Sequence, residues 1–414
     1  MKPLLLLSLL LAGAAGMAQP VIRPAPPDLP DDAVSRQLIG EEPAVVQTRH
    51  ALEAARQRAQ GLSVGAHEWT ARGSLQQRRE RSSGVDAREW TVGLERAIRV
   101  AGKAGIDREL GEAQLRLARA RHDEARHEAA RELLTLWLDW TAAQRVLRLW
   151  QEQQQAAQDN LEAVDKRRRA GDASRLELNS ARVDLAEVQR QQSAARADEA
   201  RARARLRGRF PDLSLQPVPD TVPEALGGEL AMWRERILDE SDALRIAREE
   251  ARVAALQAAR ARADRVADPT LGVYASSERS GAERVVGLSF SMPIGGGYRR
   301  AQELESQQLA QAARAGVERR QRELDAEIAA GAAEASGSLE RWHIAAQALE
   351  ASRENLRLTQ RAYALGEADL QTLLLARRQG IDAALGAEQA RIDAQRVRYR
   401  FFVDAHLIWG LHDE

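Results

Sequence analysis

The segment from Asp107 to Ala170 contains no proline and carries apolar residues, such as Leu133, Leu136 and Leu149, at helical spacings. A continuous helix of this length would measure roughly 95 Å at about 1.5 Å per residue. A second long helix is predicted from Tyr298 to Leu365. Because helices in globular domains are far shorter, we expect these rods to pack side by side as coiled coils and to form the wall of a tube.

The composition supports this interpretation. Aromatic residues make up only 4% of the chain, while alanine, arginine, glutamate, glutamine and leucine dominate, as in long helices. A compact enzyme would carry a more aromatic core. Lysine plus arginine and aspartate plus glutamate both total 61, so no net charge attracts nucleic acid. The chain is therefore predicted to be mostly helical, and neither an enzyme nor a nucleic-acid-binding protein.

The order of the predicted elements occurs twice: a helix, two strands, a long helix and a return helix. The first helix of each repeat is expected at about 32–61 and 229–265, and the second return helix is expected to end near Trp409. Each long helix stops at a glycine turn, Gly171-Asp172 in the first half and Gly366-Glu367 in the second. Val92-Gly93-Leu94 and Val286-Gly287-Leu288 also correspond, at the same offset of about 195 residues. The sequence predicts a first repeat at 32–208, a linker at 209–228 and a second repeat at 229–414.

Four short segments, 68–75, 88–94, 270–276 and 285–293, alternate apolar and polar residues with period two. The first two flank the polar turn 81–84. We expect strands with one lipid-facing side, formed by Trp90, Val92, Leu94, Val286, Leu288 and Phe290. In lipid, the unpaired edges of a four-stranded sheet would have to close against other copies. An exposed soluble hairpin packed on helices is the alternative.

The N-terminus has the order of a secretory signal, with Lys2, an apolar stretch and small residues, so 1–18 is predicted to be cleaved. A proline-rich arm at 19–31 follows. No later run of about 18 apolar residues occurs, so any membrane span should be β. Because the chain has no cysteine, we expect neither disulfides nor a lipid anchor.

No catalytic, cofactor or metal site is predicted, because no nucleophile triad, zinc motif or paired carboxylates stand out. His122 and His127 lie five residues apart and do not share one helical face, so both are expected in solvent. Trp137, Trp140 and Trp150 are expected to be packing residues.

Three motifs, taken in this order, resemble the outer-membrane efflux protein (TolC-like) family. They are 169–181, 290–297 and 363–376, which include both glycine turns and the exit of the last strand. The resemblance implies a homotrimer with a twelve-stranded barrel over a helical tunnel, in the outer membrane of a Gram-negative bacterium and extending into the periplasm. Its partners would be outer-membrane lipid, a periplasmic adaptor and an inner-membrane pump of the RND type, above which it forms a passive duct.

By transfer from that family, functional roles fall on three groups of residues. The adaptor-docking tip would contain Gly171, Asp172, Ser174, Gly366, Glu367 and Asp369. The bend between barrel and tunnel would contain Pro293, Gly295, Gly296 and Gly297. Some family members ring the closed pore with paired aspartates after the second turn, where this chain has Thr372 and Leu375. Glu177, Glu367 and Asp369 are the candidate constriction charges, although acids at helix starts more often interact with the helix dipole.

Two alternatives remain at this stage. A periplasmic coiled-coil adaptor or scaffold would share the helices but should carry a lipoyl-like β-domain. A periplasmic hydrolase would need a clustered nucleophile or metal set. The chain length and the absence of a lipid cysteine are similar to the heavy-metal efflux (CzcC-like) branch, which makes divalent cations a candidate cargo.

Overall fold

The computed structural model describes residues 24–79, 81, 84, 86–216 and 218–411. The predicted signal at 1–18 and part of the turn at 81–84 lie outside the described residues. The described residues are 72% helical, and they contain one antiparallel four-stranded sheet. The helices are α1 (Asp32–Glu41), α2 (Pro43–Val64), α3 (Lys103–Ala170), α4 (Arg175–Arg209), α5 (Leu230–Glu240), α6 (Asp242–Ala263), α7 (Gly297–Leu365) and α8 (Leu370–Asp404). The strands are β1 (Thr70–Arg79), β2 (Asp86–Ala97), β3 (Thr270–Glu278) and β4 (Glu283–Ser291).

The two long helices are confirmed. α3 and α7 contain 68 and 69 residues, and each is therefore about 100 Å long. α3 packs against α2, α4 and α6, whereas α7 packs against α6 and α8. Each long helix thus lies between shorter antiparallel partners, which bury part of its apolar surface. This arrangement explains how rods of such length are stable without a globular core along their whole length.

Three predicted helix boundaries are wrong. The helix expected at 32–61 is split, because Pro43 forces Glu42 into an extended conformation (φ −60°, ψ 131°). The helix expected at 229–265 breaks at Ser241, whose hydroxyl accepts a hydrogen bond from the Leu244 N–H and caps α6. The last helix ends at Asp404 rather than near Trp409, since His406 has a positive φ of 51°.

The sheet order is β1-β2-β3-β4, with every neighbouring pair antiparallel. The central β2–β3 pairing joins the two repeats, for example through Leu94 opposite Val273. Each of the four predicted strands is present, with shifted ends: β1 reaches Arg79, and β4 stops at Ser291, before Pro293.

The main hydrophobic core lies where α3, α5 and α8 meet the C-terminal turn. Trp137 and Trp140 are buried there, as expected, while Trp150 is half-buried. The indole N–H of Trp137 donates to the Asp28 carbonyl oxygen (2.7 Å), and that of Trp140 donates to the Glu199 carboxylate (3.0 Å). Each buried indole therefore keeps a polar partner while its ring fills the core.

The buried carboxylate of Asp28 joins three distant segments. It accepts hydrogen bonds from the Thr221 hydroxyl (2.6 Å), the Gln395 amide (3.0 Å) and the Tyr399 hydroxyl (2.8 Å). Asp28 belongs to the proline-rich arm, Thr221 to the predicted linker, and Gln395 and Tyr399 to α8. The described part of the arm is therefore anchored to the core through a polar network.

Replacing Tyr399 by phenylalanine should destabilise the fold, because it removes one donor from the buried Asp28 carboxylate. We expect a loss of about 1.5–3 kcal/mol, the range for hydrogen bonds to charged groups. The matched control is Tyr298→Phe, which removes an exposed hydroxyl that contacts Gln302. Thermal unfolding of both variants tests this, and equal losses would contradict the proposed anchor.

Candidate functional site

The two glycine turns lie at the ends of α3 and α7 that are furthest from the sheet. Gly171 and Gly366 both adopt the left-handed conformation, with φ values of 87° and 80°. The N–H of Asp172 donates to the Arg167 carbonyl and that of Glu367 donates to the Ala362 carbonyl, each at 2.9 Å. Both turns are therefore the same glycine helix cap, in which a side chain on the glycine would be strained.

The return helices begin with related caps. The Ser174 hydroxyl accepts from the Glu177 N–H (3.1 Å), and the Glu177 carboxylate accepts from the Ser174 N–H (2.6 Å). In the second repeat, the Asp369 carboxylate accepts from the Thr372 N–H (2.8 Å), and this bond lowers the pKa of Asp369. Glu177 therefore closes a capping box, and Asp369 stays charged at the exposed tip.

The two tip hairpins pack against each other. Val164, Leu178, Leu370 and Leu373 form a small buried cluster beneath the turns. Above it, the Arg167 guanidinium donates to the Tyr363 hydroxyl (2.8 Å) and lies 5.1 Å from the centre of its ring. The structure thus brings the six predicted tip residues to one end of the molecule, on two mutually supported turns.

The candidate constriction charges have different surroundings. Glu177 and Asp369 each hold a helix N-terminus, whereas Glu367 is exposed on the second turn. Thr372 and Leu375, which replace the paired aspartates, are also exposed. A role in pore constriction therefore stays a prediction for all three acids.

The register of the sheet aligns the six residues predicted to face lipid. Leu94 lies opposite Val273 and Val273 opposite Leu288, so their side chains share one face. The other face carries polar and small residues, including Thr91 opposite Ser74 and Gly272 opposite Ser289. Trp90, Val92, Val286 and Phe290 are also exposed on the apolar side. The sheet is thus two-sided, and contact with lipid stays a prediction.

The two bends between sheet and helices differ. Pro293 and the three glycines that follow are exposed, and no heavy atom within 4 Å would meet a Cβ on Gly295, Gly296 or Gly297. The first bend, which lacks the proline, instead contains the buried Lys103. Its ammonium contacts the Asp268 carboxylate (2.7 Å) and donates to the Val266 carbonyl (2.7 Å).

Asp268 is the centre of this first bend. Besides Lys103, it accepts from the Val100 N–H (3.1 Å) and contacts His67 (3.1 Å). Burial alone would raise the pKa of Asp268, but the hydrogen bonds from Lys103, Val100 and His67 lower it. Sequence reasoning missed this site, because its members are separated by more than 160 positions and no local motif links them.

The expectation that His127 lies in solvent is wrong. Its side chain is buried, and its Nε2 lies 3.3 Å from the Asp404 carboxylate. His122 is half-buried, with its Nδ1 3.0 Å from the Thr48 hydroxyl. The spacing of five did place the two histidines on different faces of α3, but α3 is covered on more than one side by other helices.

Within the part of the chain that the structure describes, no helix combines the length and apolar character needed to cross a membrane.

Residues 34–208 match the sequence family described as outer membrane efflux protein. The match covers less than half of the chain and lies within the first predicted repeat. This finding confirms the predicted family, the efflux-channel function and the outer-membrane location, and it favours the channel over the adaptor alternative. The family is one of channels rather than enzymes, and its members work with an adaptor and an inner-membrane pump.

Solved structures of outer-membrane channels share the fold of this chain. The outer-membrane channel OprN has a TM-score of 0.78 at 19% identity, over 92% of this chain and 90% of its own. VceC of Vibrio cholerae has a TM-score of 0.74 at 16% identity, over 92% and 95%. MtrE of Neisseria gonorrhoeae, solved in its open state, has a TM-score of 0.73 at 18% identity, over 92% and 89%. No curated protein sequence matches this chain significantly.

Replacing Gly366 by valine should abolish efflux while trimers and membrane insertion persist, because a β-branched residue is strained at a φ of 80° and would displace the tip. Dye accumulation in cells that depend on this channel measures the effect. The control Gly386→Val places the same side chain in open space within α8. Loss of trimers in Gly366→Val would contradict a tip role for this glycine.

Replacing Asp268 by asparagine should destabilise the first bend by about 3–5 kcal/mol, because it leaves the buried Lys103 ammonium without its closest carboxylate. Asp264→Asn is the control, since Asp264 contacts Lys103 at 3.2 Å but is itself exposed. Heat stability of the purified protein compares the two variants. If Asp264→Asn costs as much, Asp268 is not the central residue of the bend.

Proposed function

We propose that three copies of this outer membrane efflux protein form a passive exit duct, with a twelve-stranded barrel in the outer membrane and a helical tunnel in the periplasm. The observation that carries the proposal is the two-sided sheet, whose apolar side chains lie on one face along three consecutive strands. In a barrel, such a sheet places its apolar face toward lipid and its polar face toward a water-filled lumen.

The edges of the sheet support assembly with other copies. In the described residues, β1 pairs only with β2 and β4 only with β3, so each sheet has two open edges. In hydrocarbon, every unpaired backbone group costs several kcal/mol. Pairing β1 of one copy with β4 of the next satisfies both edges, and such a head-to-tail contact closes into a ring when the rotation permits. Three copies supply twelve strands, within the range of known outer-membrane barrels.

The long helices support a tunnel wall. Leu304, Leu309, Ile344 and Leu358 are large apolar residues exposed along α7. Ile294, at the second bend, is 101% exposed in the single chain. Neighbouring copies would cover these side chains, because a ring of three protomers places the helices of one copy against those of the next. The bend at Pro293 and Gly295–Gly297 would then lie between protomers.

The glycine-turn tip is the surface proposed to dock on the periplasmic adaptor, above an inner-membrane pump of the RND type. It is exposed, lies at the far end of both rods, and carries the charged carboxylate of Asp369. A duct of this kind moves its cargo without catalysis. Membership of the heavy-metal branch, and divalent cations as cargo, stay predictions from the sequence.

A charge on either face of β4 tests the barrel. Leu288 lies in the middle of the apolar face and is 84% exposed, while its neighbour Ser289 points to the opposite face. An arginine at a lipid-facing midplane position costs about 2–4 kcal/mol. We therefore expect Leu288→Arg to reduce the yield of inserted trimer strongly, whereas Ser289→Arg inserts normally and changes the single-channel conductance.

The measurements are the native mass of the protein extracted from outer membranes and its conductance in planar bilayers. The unmodified protein should have the mass of a trimer and conduct in discrete steps. A monomeric, non-conducting protein would overturn the duct. Equal insertion of Leu288→Arg and Ser289→Arg would instead overturn the assignment of the two faces.

A further inference from the structure

Two histidines and an aspartate that are far apart in sequence meet inside the helical region. His127 lies on α3, Asp242 begins α6, and His406 follows the end of α8. The three residues are 3%, 1% and 4% exposed. Buried polar side chains need hydrogen bonds, ion pairs or a metal ion, because each one loses its contacts with water on burial. The cluster lies outside both the sheet and the tip, and the proposed channel function does not use it.

The three side chains face one another with similar separations. His127 Nδ1 lies 3.6 Å from Asp242 Oδ2, His406 Nε2 lies 3.7 Å from the same oxygen, and the two nitrogens are 3.4 Å apart. The nearest point equidistant from these three atoms lies about 2.1 Å from each, which is the usual distance of Zn²⁺ from histidine nitrogen and carboxylate oxygen. The donors are thus already spaced as metal ligands.

The outer contacts of the three side chains are also those of a metal site. His127 Nε2 lies 3.3 Å from Asp404, which is held in turn by Arg131 at 2.7 Å. His406 Nδ1 lies 3.8 Å from Glu240, and Asp242 Oδ1 lies 3.1 Å from Arg245. A carboxylate on the outer nitrogen of histidine orients the ring and leaves its inner nitrogen available to the metal.

We propose that His127, Asp242 and His406 bind one divalent transition-metal ion in each protomer, and that Zn²⁺ fits the donor set best. Two imidazoles and one carboxylate are typical zinc ligands, and they leave a fourth position for water. Because the ligands are buried, the ion is a resident structural ion rather than transported cargo. It joins the middle of α3, the start of α6 and the turn after α8.

The backbone at His406 agrees with this role. Its φ of 51° is uncommon for a residue with a side chain, and such conformations persist where the surroundings hold them. The turn at 405–407 is held by hydrogen bonds to α8 carbonyls, and the Ala405 carbonyl accepts from Arg236 (3.0 Å). The C-terminal turn thus presents His406 to the two other ligands.

Metal analysis of the full-length protein tests the proposal. The trimer is purified in detergent without a histidine tag, stripped with EDTA, dialysed against Zn²⁺ and then against metal-free buffer. We expect about one zinc ion per protomer by mass spectrometry, and tetrahedral Co²⁺ absorption bands when cobalt replaces zinc. His127→Ala and His406→Ala should retain little metal, while the control His50→Ala, which changes an exposed histidine on α2, should retain a full complement.

Two further measurements distinguish a metal-binding site from a metal-free cluster of buried side chains. Asp404→Asn removes only an outer carboxylate and should weaken zinc binding about 10–100-fold. The unfolding temperature of the unmodified protein should rise when Zn²⁺ replaces EDTA, and should not rise with Mg²⁺, which prefers oxygen ligands. If the alanine variants fail to form trimers, the proposal is tested on the unmodified protein alone. Its zinc content and cobalt spectrum are then measured after it has been stripped with EDTA and reloaded.

The opposite results would overturn the proposal. Burial lowers the pKa of His127, but its contacts with the carboxylates of Asp242 and Asp404 raise it overall, so a metal-free ion-pair cluster is the competing arrangement. Such a cluster predicts no zinc after reloading, no cobalt bands and no change of unfolding temperature with Zn²⁺. Zinc lost equally from His50→Ala would also contradict the site, since it would indicate binding at surface histidines.

Discussion

The backbone hydrogen bonds between β2 and β3 are the interaction on which the rest of the structure depends. They join the two repeats into one sheet, and the two outer strands then become its open edges. They also set the register that collects the apolar side chains of both repeats on one face. A shift of one residue in this pairing would send Leu94 and Val273 to different faces, because side chains alternate along a strand. The proposed barrel, its trimer contacts and its lumen all follow from this single ladder.

The two ends of the rods solve different physical problems. At the tip, each chain reversal needs a residue with positive φ and a cap for the next helix, which Gly171 with Ser174 and Gly366 with Asp369 provide. At the sheet end, the chain must turn from a strand into a rod. The second repeat uses Pro293 and glycines, whereas the first uses a buried lysine held by Asp268. The internal repeat therefore preserves topology more closely than it preserves the chemistry of each turn.

The middle of the molecule depends on contacts between segments far apart in sequence. Asp28 links the arm, the linker and α8 through three hydrogen bonds. The cluster of His127, Asp242 and His406 links α3, α6 and the C-terminal turn in a similar way. Long helices packed along narrow seams can slide or separate, so polar ties at defined positions specify their register. A bound metal ion would strengthen such a tie most, because its ligands must keep their geometry.

The sequence by itself determined the elements and their order. Period-two alternation predicted the four strands, the absence of proline predicted the rods, and Gly171 and Gly366 predicted the turns at which the rods end, since all these signals are local. The tertiary structure decided the features that depend on contacts between residues far apart in the sequence. Burial of His127, the partners of Lys103 and the environment of Asp28 depend on residues that are more than 100 positions away. Charged and polar side chains in a chain that is 29% charged look like solvated surface until the fold shows which of them are enclosed.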